Sequence, residues 1–262
     1  MSESGLAFDD HGGAGELVVL LPGAGDVRSE NRFLVPALAE AGYRVINADL
    51  PGHGESPPQR SYGVAAAADA LLSLIRQLDA GPAHVVGTSF APAAAAWAAG
   101  TEPGAVRSIV AISAHMEAEE TFSSRMLGAT VSGMLRGPWA APIWGRMYRS
   151  WYKSGVPADF DAELGKMGAM LKRSEARRAV RETLTAHRRG LSAKIDACTC
   201  PALVIFGAAD DHFPDPAKEA AHVAKRLRGE FKMIEGAGHY PHVERPDLVI
   251  PAVLDFLGRM PC

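Results

Sequence analysis

The sequence has few cysteines and little net charge, and each shortage excludes a class of protein. Its 262 residues include three cysteines, which cannot all pair within one chain. Cys198 and Cys200 are separated by a single residue, which is a poor spacing for a disulfide bridge and not a zinc pattern. We therefore expect reduced thiols in a reducing compartment. The net charge of −3 at pH 7 gives no reason to expect binding to nucleic acid.

Long apolar runs are also missing. No stretch of 18 apolar residues is free of charge or of proline and glycine, so no membrane span is predicted. Residues 1–5 are polar and acidic and lack the basic and apolar regions of a signal peptide, so we expect a cytoplasmic protein. No histidine has ligand spacing with cysteine or carboxylate residues, and no cofactor motif is present. We therefore expect neither a metal ion nor a cofactor.

Short apolar runs do occur, and they alternate with longer helical patterns. Such near-continuous apolar strands, separated by helices, predict an α/β fold with a mostly parallel sheet covered on both faces. The opening residues 6–15 predict an antiparallel hairpin at the edge of that sheet. The remaining predicted strands lie at residues 17–21, 43–49, 83–86, 106–112, 202–206 and 231–234.

Residues 115–194 contain no convincing strand. Their helical patterns are rich in methionine and aromatic residues and predict a helical insertion, with residues 1–114 and 195–262 forming the core domain. The insertion holds 14 Lys and Arg residues against 8 Asp and Glu residues. Such a charge could attract an anionic substrate or an acidic carrier protein. We favour a solvated helix face, because six of the arginines cluster in residues 173–189.

The segment Gly87-Thr88-Ser89-Phe90-Ala91 directly follows an apolar run and precedes a strong helix former. This pattern indicates a serine on a sharp turn between a strand and a helix. Such a turn pushes the hydroxyl out of the fold, towards a base and next to free backbone N–H groups. By itself the motif is weak, because a tight turn with a polar residue has the same sequence.

An acid and a histidine follow the serine in the chain. Asp210 comes just after the predicted strand at residues 202–206, and His239 lies in a glycine-rich loop after the last strand. The loops at the carboxyl ends of parallel strands lie on one side of the sheet, so these groups and Ser89 should meet there. Asp211 and His242 are the alternatives for the acid and the base, and the local spacing favours Asp210 and His239.

Five segments in this order resemble the α/β-hydrolase superfamily over nearly the whole chain. The resemblance implies an α/β-hydrolase fold, with a mostly parallel eight-stranded sheet, helices on both faces and a helical cap at residues 115–194 that covers the active site. The five segments are Leu20-Leu21-Pro22-Gly23-Ala24-Gly25, Asp49-Leu50-Pro51-Gly52-His53-Gly54-Glu55-Ser56, Gly87-Thr88-Ser89-Phe90-Ala91, Gly207-Ala208-Ala209-Asp210 and Gly236-Ala237-Gly238-His239.

The resemblance also implies a role for each residue of the site. His239 would take the proton of Ser89 as the hydroxyl attacks a carbonyl group, and Asp210 would orient the imidazole and stabilise its cation. The backbone N–H groups of Ala24 and Phe90 would form the oxyanion hole. One such donor contributes about 2.7–4 kcal/mol to the stability of the transition state.

One departure from the family pattern concerns the oxyanion loop. The family often has His-Gly where this chain has Pro22-Gly23, and proline has no N–H, so we expect a working hole with a different loop anchor. The aromatic and methionine residues of the insertion imply an apolar pocket. The candidate pocket residues are His115, Trp139, Trp144, Met147, Tyr148 and Tyr240.

These residues predict a serine hydrolase that cleaves a carboxylic ester or lactone of moderate size through an acyl-enzyme. Two alternatives stay open at this point. The same three residues support C–C bond hydrolysis, thioesterase, lyase or cofactor-free perhydrolase chemistry on this fold. The second alternative is a ligand-binding module that has this fold but no catalytic activity. The expected partner is a small-molecule substrate.

Overall fold

The computed structural model describes residues 5–116, 122–137 and 139–260. A single sheet in the order β1-β3-β2-β4-β5-β6-β7 forms its centre, and all pairs are parallel except β1 with β3. This arrangement confirms the predicted mostly parallel sheet. The strands are β1 (Phe8–Asp10), β2 (Leu17–Leu21), β3 (Arg44–Ala48), β4 (Ala83–Thr88), β5 (Val106–Ile112), β6 (Ala202–Gly207) and β7 (Glu230–Ile234).

The first strand corrects two expectations. The described residues form seven strands rather than eight, because the residues that precede β2 in this part of the chain supply only the three-residue β1. The predicted hairpin is also wrong, since β1 and β2 both pair with β3, which lies between them. The connecting loop runs against β3: a Cβ built on Gly13 would lie 2.2 Å from the carbonyl oxygen of Tyr43. Only glycine permits this approach of the two backbones.

Helices cover both faces of the sheet, as predicted. Because successive side chains of a strand point to opposite faces, Val18 and Leu20 belong to one apolar core and Val19 and Leu21 to the other. The first core includes residues of α1 (Leu34–Glu40) and α11 (Pro246–Gly258). The second core includes residues of α2 (Val64–Leu78), α3 (Ala91–Thr101) and α9 (Pro216–Leu227).

Among the described residues, five helices lie between β5 and β6, and we call the segment 122–197 that contains them the helical insertion. A third apolar core joins the insertion to Tyr240 and Val243 of the rest of the chain, which we call the body. The last of its helices packs differently, because Leu191 and Ile195 belong to a core of the sheet. Throughout the described residues, no helix has the length and apolar character needed to cross a membrane. The five helices are α4 (Phe122–Met134), α5 (Ala140–Ser150), α6 (Phe160–Lys172), α7 (Ser174–Thr185) and α8 (Leu191–Ala197).

Candidate active site

Ser89 lies on a sharp turn between β4 and α3. Its φ angle is +57°, a left-handed conformation that non-glycine residues seldom adopt. Two backbone hydrogen bonds hold the turn, since the Ser89 N–H donates to Ile112 (2.8 Å) and the Ser89 carbonyl accepts from the His115 N–H (2.8 Å). A Cβ built on Gly87 would lie 2.9 Å from the Cβ of Ala91. The turn is therefore compact, as the sequence predicts, and it depends on glycine at position 87.

Asp210 and His239 meet on the same side of the sheet. His239 Nδ1 donates to Asp210 Oδ2 over 2.8 Å, and both side chains are buried. The alternative acid points elsewhere, because Asp211 pairs with Lys153 (2.6 Å). The alternative base also has a different partner, since His242 Nε2 lies 2.9 Å from Glu30 Oε1. The structure thus brings together the acid and the histidine that the sequence favours.

A second histidine, His212, contacts the same carboxylate. Both its backbone N–H (3.1 Å) and its Nδ1 (3.0 Å) donate to Asp210 Oδ1. Its ring stacks on the His239 ring, with centroids 3.8 Å apart and planes inclined by 30°. Sequence reasoning assigned no role to His212. The signal that could have found it is its place two residues after Asp210, in the same loop at the carboxyl end of β6.

Asp210, His212 and His239 also form the one cluster in the described chain whose ligand atoms are close enough to hold a metal ion, lying within 4.8 Å of one another. The ring geometry argues against one ion shared by the three. Imidazole binds a metal through a lone pair in the ring plane. Two stacked rings direct their nitrogens along neighbouring planes, and here each Nδ1 donates to a different oxygen of Asp210. The arrangement therefore suits two hydrogen bonds.

The environment lowers the pKa values of both the acid and the base. Burial raises the pKa of Asp210, but the hydrogen bonds from His212 and His239 outweigh burial and hold that pKa below its usual range. Burial lowers the pKa of His239, an effect that Asp210 partly offsets and His212 reinforces. At neutral pH Asp210 is therefore ionised, while the His239 imidazole is neutral and able to accept a proton.

The loop after β2 passes directly beside Ser89. A Cβ built on Gly23 would lie 3.4 Å from the Cβ of Ser89. The Gly23 N–H donates to Glu30 Oε2 (2.8 Å), so a carboxylate anchors this loop, in which Pro22 has no N–H to offer. Across the described parts of the chain, the N–H groups of Ala24 and Phe90 donate to no other protein group. Both are free to donate to a substrate oxygen.

Asp26, in the same loop, is a second carboxyl group close to the candidate nucleophile. Its Oδ2 would lie 3.0 Å from a Cβ on Gly23, and it accepts a hydrogen bond from the Tyr240 hydroxyl (2.8 Å). Burial raises the pKa of Asp26 well above its usual value, and the nearby Glu30 adds to this effect. Folding therefore favours the protonated form of Asp26. The sequence indicated neither Asp26 nor Glu30, because neither belongs to a recognised motif.

The candidate pocket residues divide into two groups. Trp144, Tyr148 and Tyr240 are buried in one aromatic cluster, in which the Tyr148 and Tyr240 rings are 4.9 Å apart. His115 lies beside the candidate base, with its ring 5.7 Å from that of His239. Trp139 does not join the cluster, since it is 53% exposed. Met147 is half-buried on α5, outside the buried face that Trp144 and Tyr148 form.

Trp144 brings the helical insertion into contact with the loop after β2. A Cβ built on Gly25 would lie 2.1 Å from the Trp144 ring, so the indole rests directly on this glycine. Trp151, at the end of α5, is a contact that the sequence did not single out. Its carbonyl accepts the His239 N–H (3.0 Å), and its ring lies 4.8 Å from that of His212. Residues of the insertion therefore contact both loops of the site.

A separate cavity of about 650 Å³ lies between the body and α6. Arg28, Asp49 and Met170 are among its lining residues, and none of the described residues that line it is Ser89, Asp210 or His239. One of its cations is already paired, since Arg28 contacts Asp9, Asp49 and Glu55. The cavity is therefore distinct from the candidate active site.

Comparison with known proteins agrees with the fold. A family model described as the alpha/beta hydrolase family matches residues 18–252. The chain belongs to the alpha/beta hydrolase family. Among its curated relatives is a pimeloyl-[acyl-carrier protein] methyl ester esterase of Neisseria meningitidis serogroup B, 30% identical over 257 residues and covering 92% of each chain.

Solved structures show the same hydrolase fold. The bromoperoxidase from Bacillus anthracis superposes with a TM-score of 0.82 at 19% identity, covering 97% of this chain and 95% of the other. The enol-lactonase from Burkholderia xenovorans LB400 superposes with a TM-score of 0.79 at 20% identity, covering 97% and 96%. At these identities the likeness establishes the fold alone, and the chemistry has to be argued from the site.

Proposed function

We propose that this α/β hydrolase is a serine hydrolase that cleaves a carboxylic ester or lactone, through an acyl-enzyme, in a small to medium, partly apolar substrate. The observation that carries the proposal is the buried Asp210–His239 hydrogen bond of 2.8 Å, on the same side of the sheet as the strained turn of Ser89. A carboxylate, a neutral imidazole and an outward-facing serine are the three groups that nucleophilic acyl transfer requires.

In the proposed reaction, His239 Nε2 accepts the Ser89 hydroxyl proton while Oγ attacks the ester carbonyl carbon. Asp210 on Nδ1 stabilises the imidazolium that forms. The oxyanion accepts hydrogen bonds from the N–H groups of Ala24 and Phe90. The C–O bond of the alcohol then breaks as His239 returns the proton to the leaving oxygen. Water repeats the cycle on the acyl-enzyme and releases the acid.

Two features support an ester as the substrate. The relative from Neisseria meningitidis, which the chain matches over 92% of its length, is named as a methyl ester esterase. The buried aromatic cluster of Trp144, Tyr148 and Tyr240 makes the surroundings of the site partly apolar. That relative acts on an ester of an acyl-carrier protein. Its name makes a carrier-bound ester the second candidate substrate. A free small-molecule ester requires no surface that binds a carrier protein.

The proposal is tested with p-nitrophenyl butyrate and a fluorophosphonate probe. We expect wild-type turnover, probe labelling at Ser89 located by mass spectrometry, and loss of both in Ser89→Ala. Ser192→Ala, on the exposed side of α8, is the matched control and should keep both. Full turnover by Ser89→Ala would overturn the assignment of the nucleophile. If activity is confined to acyl-thioesters or β-diketones, the same three residues act on that substrate and the proposed ester substrate is wrong.

A further inference from the structure

A buried carboxylate–imidazole pair lies beneath the loop that carries Ala24. Glu30 Oε1 and His242 Nε2 are 2.9 Å apart, within ion-pair distance but without the alignment of a hydrogen bond, and each side chain is 1% exposed. Glu30 belongs to the 3₁₀ helix Arg28–Asn31 that follows this loop, and His242 belongs to α10 (Pro241–Glu244), just after His239. The pair therefore connects the two loops that the proposed reaction uses.

Glu30 holds the oxyanion loop through its other oxygen. Oε2 accepts the Gly23 N–H at 2.8 Å, and Gly23 directly precedes Ala24. Pro22 has no N–H and contributes no donor that could fix the loop. The position of the Ala24 N–H therefore depends on the Glu30 carboxylate.

A carboxylate at this place also creates an electrostatic problem. Both Glu30 Oε2 and the Ser89 Cβ lie within 4 Å of the point where a Gly23 Cβ would be. In a buried site, a negative charge so near would repel the negative charge that develops on the substrate oxygen. The other groups that face Glu30 do not cancel its charge, because Asp26 is an acid and Tyr240 is a neutral phenol. His242 is the group in contact with Glu30 that can carry a positive charge.

We propose that Glu30 and His242 form a charge-compensated support for the oxyanion hole, in which Glu30 fixes the Gly23 N–H and His242 neutralises Glu30. Both are positioning residues, since neither contacts the reacting atoms. The inference rests on the proposed function. It gives the loop an anchor in a chain that has Pro22 where the family often has a histidine.

The test is a double-mutant cycle with His242→Leu, Glu30→Gln and the combined variant. Each kcat/KM for p-nitrophenyl butyrate is divided by the active-site concentration from fluorophosphonate titration. We expect His242→Leu to lose at least 100-fold, because it leaves the carboxylate uncompensated. Glu30→Gln keeps an acceptor for Gly23 and should lose about tenfold. The double variant should recover to the level of Glu30→Gln alone.

A second readout separates positioning from folding. A trifluoromethyl ketone forms a hemiketal oxyanion on the serine, so its affinity should fall in parallel with kcat/KM across the variants while KM stays nearly constant. His84→Leu is the matched control, because His84 forms a comparable pair with Glu16 (3.1 Å) at the start of β4. That variant should lower the melting temperature and leave kcat/KM per active site unchanged.

Two kinds of result would overturn the inference. In the first, the loss of kcat/KM in the double variant equals the product of the two single losses, or His242→Leu lowers only the fraction of protein that the fluorophosphonate labels. The pair is then structural, while the proposed function stands. If wild-type protein neither labels at Ser89 nor turns over esters, the proposed function fails and the oxyanion role fails with it. His242→Gln serves as the second variant if His242→Leu does not fold.

Discussion

His212 stacks on His239 with ring centroids 3.8 Å apart, and the two imidazoles contact different oxygens of Asp210. A single carboxylate thus holds both rings, and the second ring limits how the first can tilt. His212 also acts on the charge of His239, since its proximity lowers the pKa of that imidazole. His212 therefore affects both the orientation and the pKa of His239, and the two effects can be tested separately.

The first prediction concerns His212→Phe. The substitution removes a ring that lowers the pKa of His239, so that pKa should rise. The acid limb of the pH dependence of kcat/KM should then move to higher pH, because His239 must be deprotonated to act as a base. Losing one hydrogen bond to the Asp210 carboxylate should also lower kcat about tenfold, consistent with roughly 1.5 kcal/mol for a bond to a charged group.

Two variants make this result specific. His212→Asn retains a side-chain donor for Asp210 and should recover most of kcat. His11→Asn, at an exposed histidine before β2, should leave the profile unchanged. An unshifted acid limb in His212→Phe would show that His212 does not act on the base.

The second prediction concerns the contact between the insertion and the loop after β2. Gly25 has a φ angle of +90°, and an added Cβ would lie 2.1 Å from the Trp144 ring. Gly25→Ala should displace Trp144 or the loop and lower kcat/KM by roughly 100-fold, since a small misplacement of catalytic groups has this effect. Steady-state kinetics with active-site titration measures it.

Gly12→Ala is the matched control for this substitution. Gly12 also has a positive φ angle, +74°, but a Cβ there would meet no heavy atom within 4 Å. It should cost about 1 kcal/mol of folding free energy from backbone strain and leave kcat/KM per active site intact. Equal kinetic losses in both variants would mean that strain, rather than the contact with Trp144, is responsible.

The third prediction concerns the stability conferred by Asp26. Its pKa is raised in the folded protein by burial and by Glu30, so folding favours the protonated form. The stability from this group is present below its unfolded pKa of about 3.9 and is lost as the pH rises towards its folded pKa. Asp26→Asn does not ionise. Its unfolding free energy relative to wild type should therefore increase from pH 4 to pH 8, as measured by urea denaturation at each pH.

Asp247→Asn supplies the control, because that carboxylate is exposed and paired with Arg245. There the difference from wild type should change little, and in the opposite direction, since Arg245 lowers the pKa of Asp247. A constant difference for Asp26→Asn across this pH range would mean that Asp26 is ionised in the folded protein.

The main elements of the fold could be predicted because each depends on local sequence. Apolar runs such as β6 are buried on both faces, and this pattern requires helices on either side. The pairing of β1 could not be predicted, because short polar segments carry no register signal. Asp10 of β1 pairs with Arg44 of β3 at 2.9 Å. The sequence around Asp10 suggested a hairpin within residues 6–15 instead.

The sequence by itself determined the order of Ser89, Asp210 and His239 and the side of the sheet on which they lie. Each of these residues follows the carboxyl end of a parallel strand, and parallel strands align those ends whatever the intervening chain does. Tertiary structure alone decided what surrounds them. Glu30 and His242 are more than 200 positions apart, as are Asp26 and Tyr240, and each pair forms only when separate loops fold together. Side-chain contacts between loops depend on packing in three dimensions, and no spacing in the sequence encodes them.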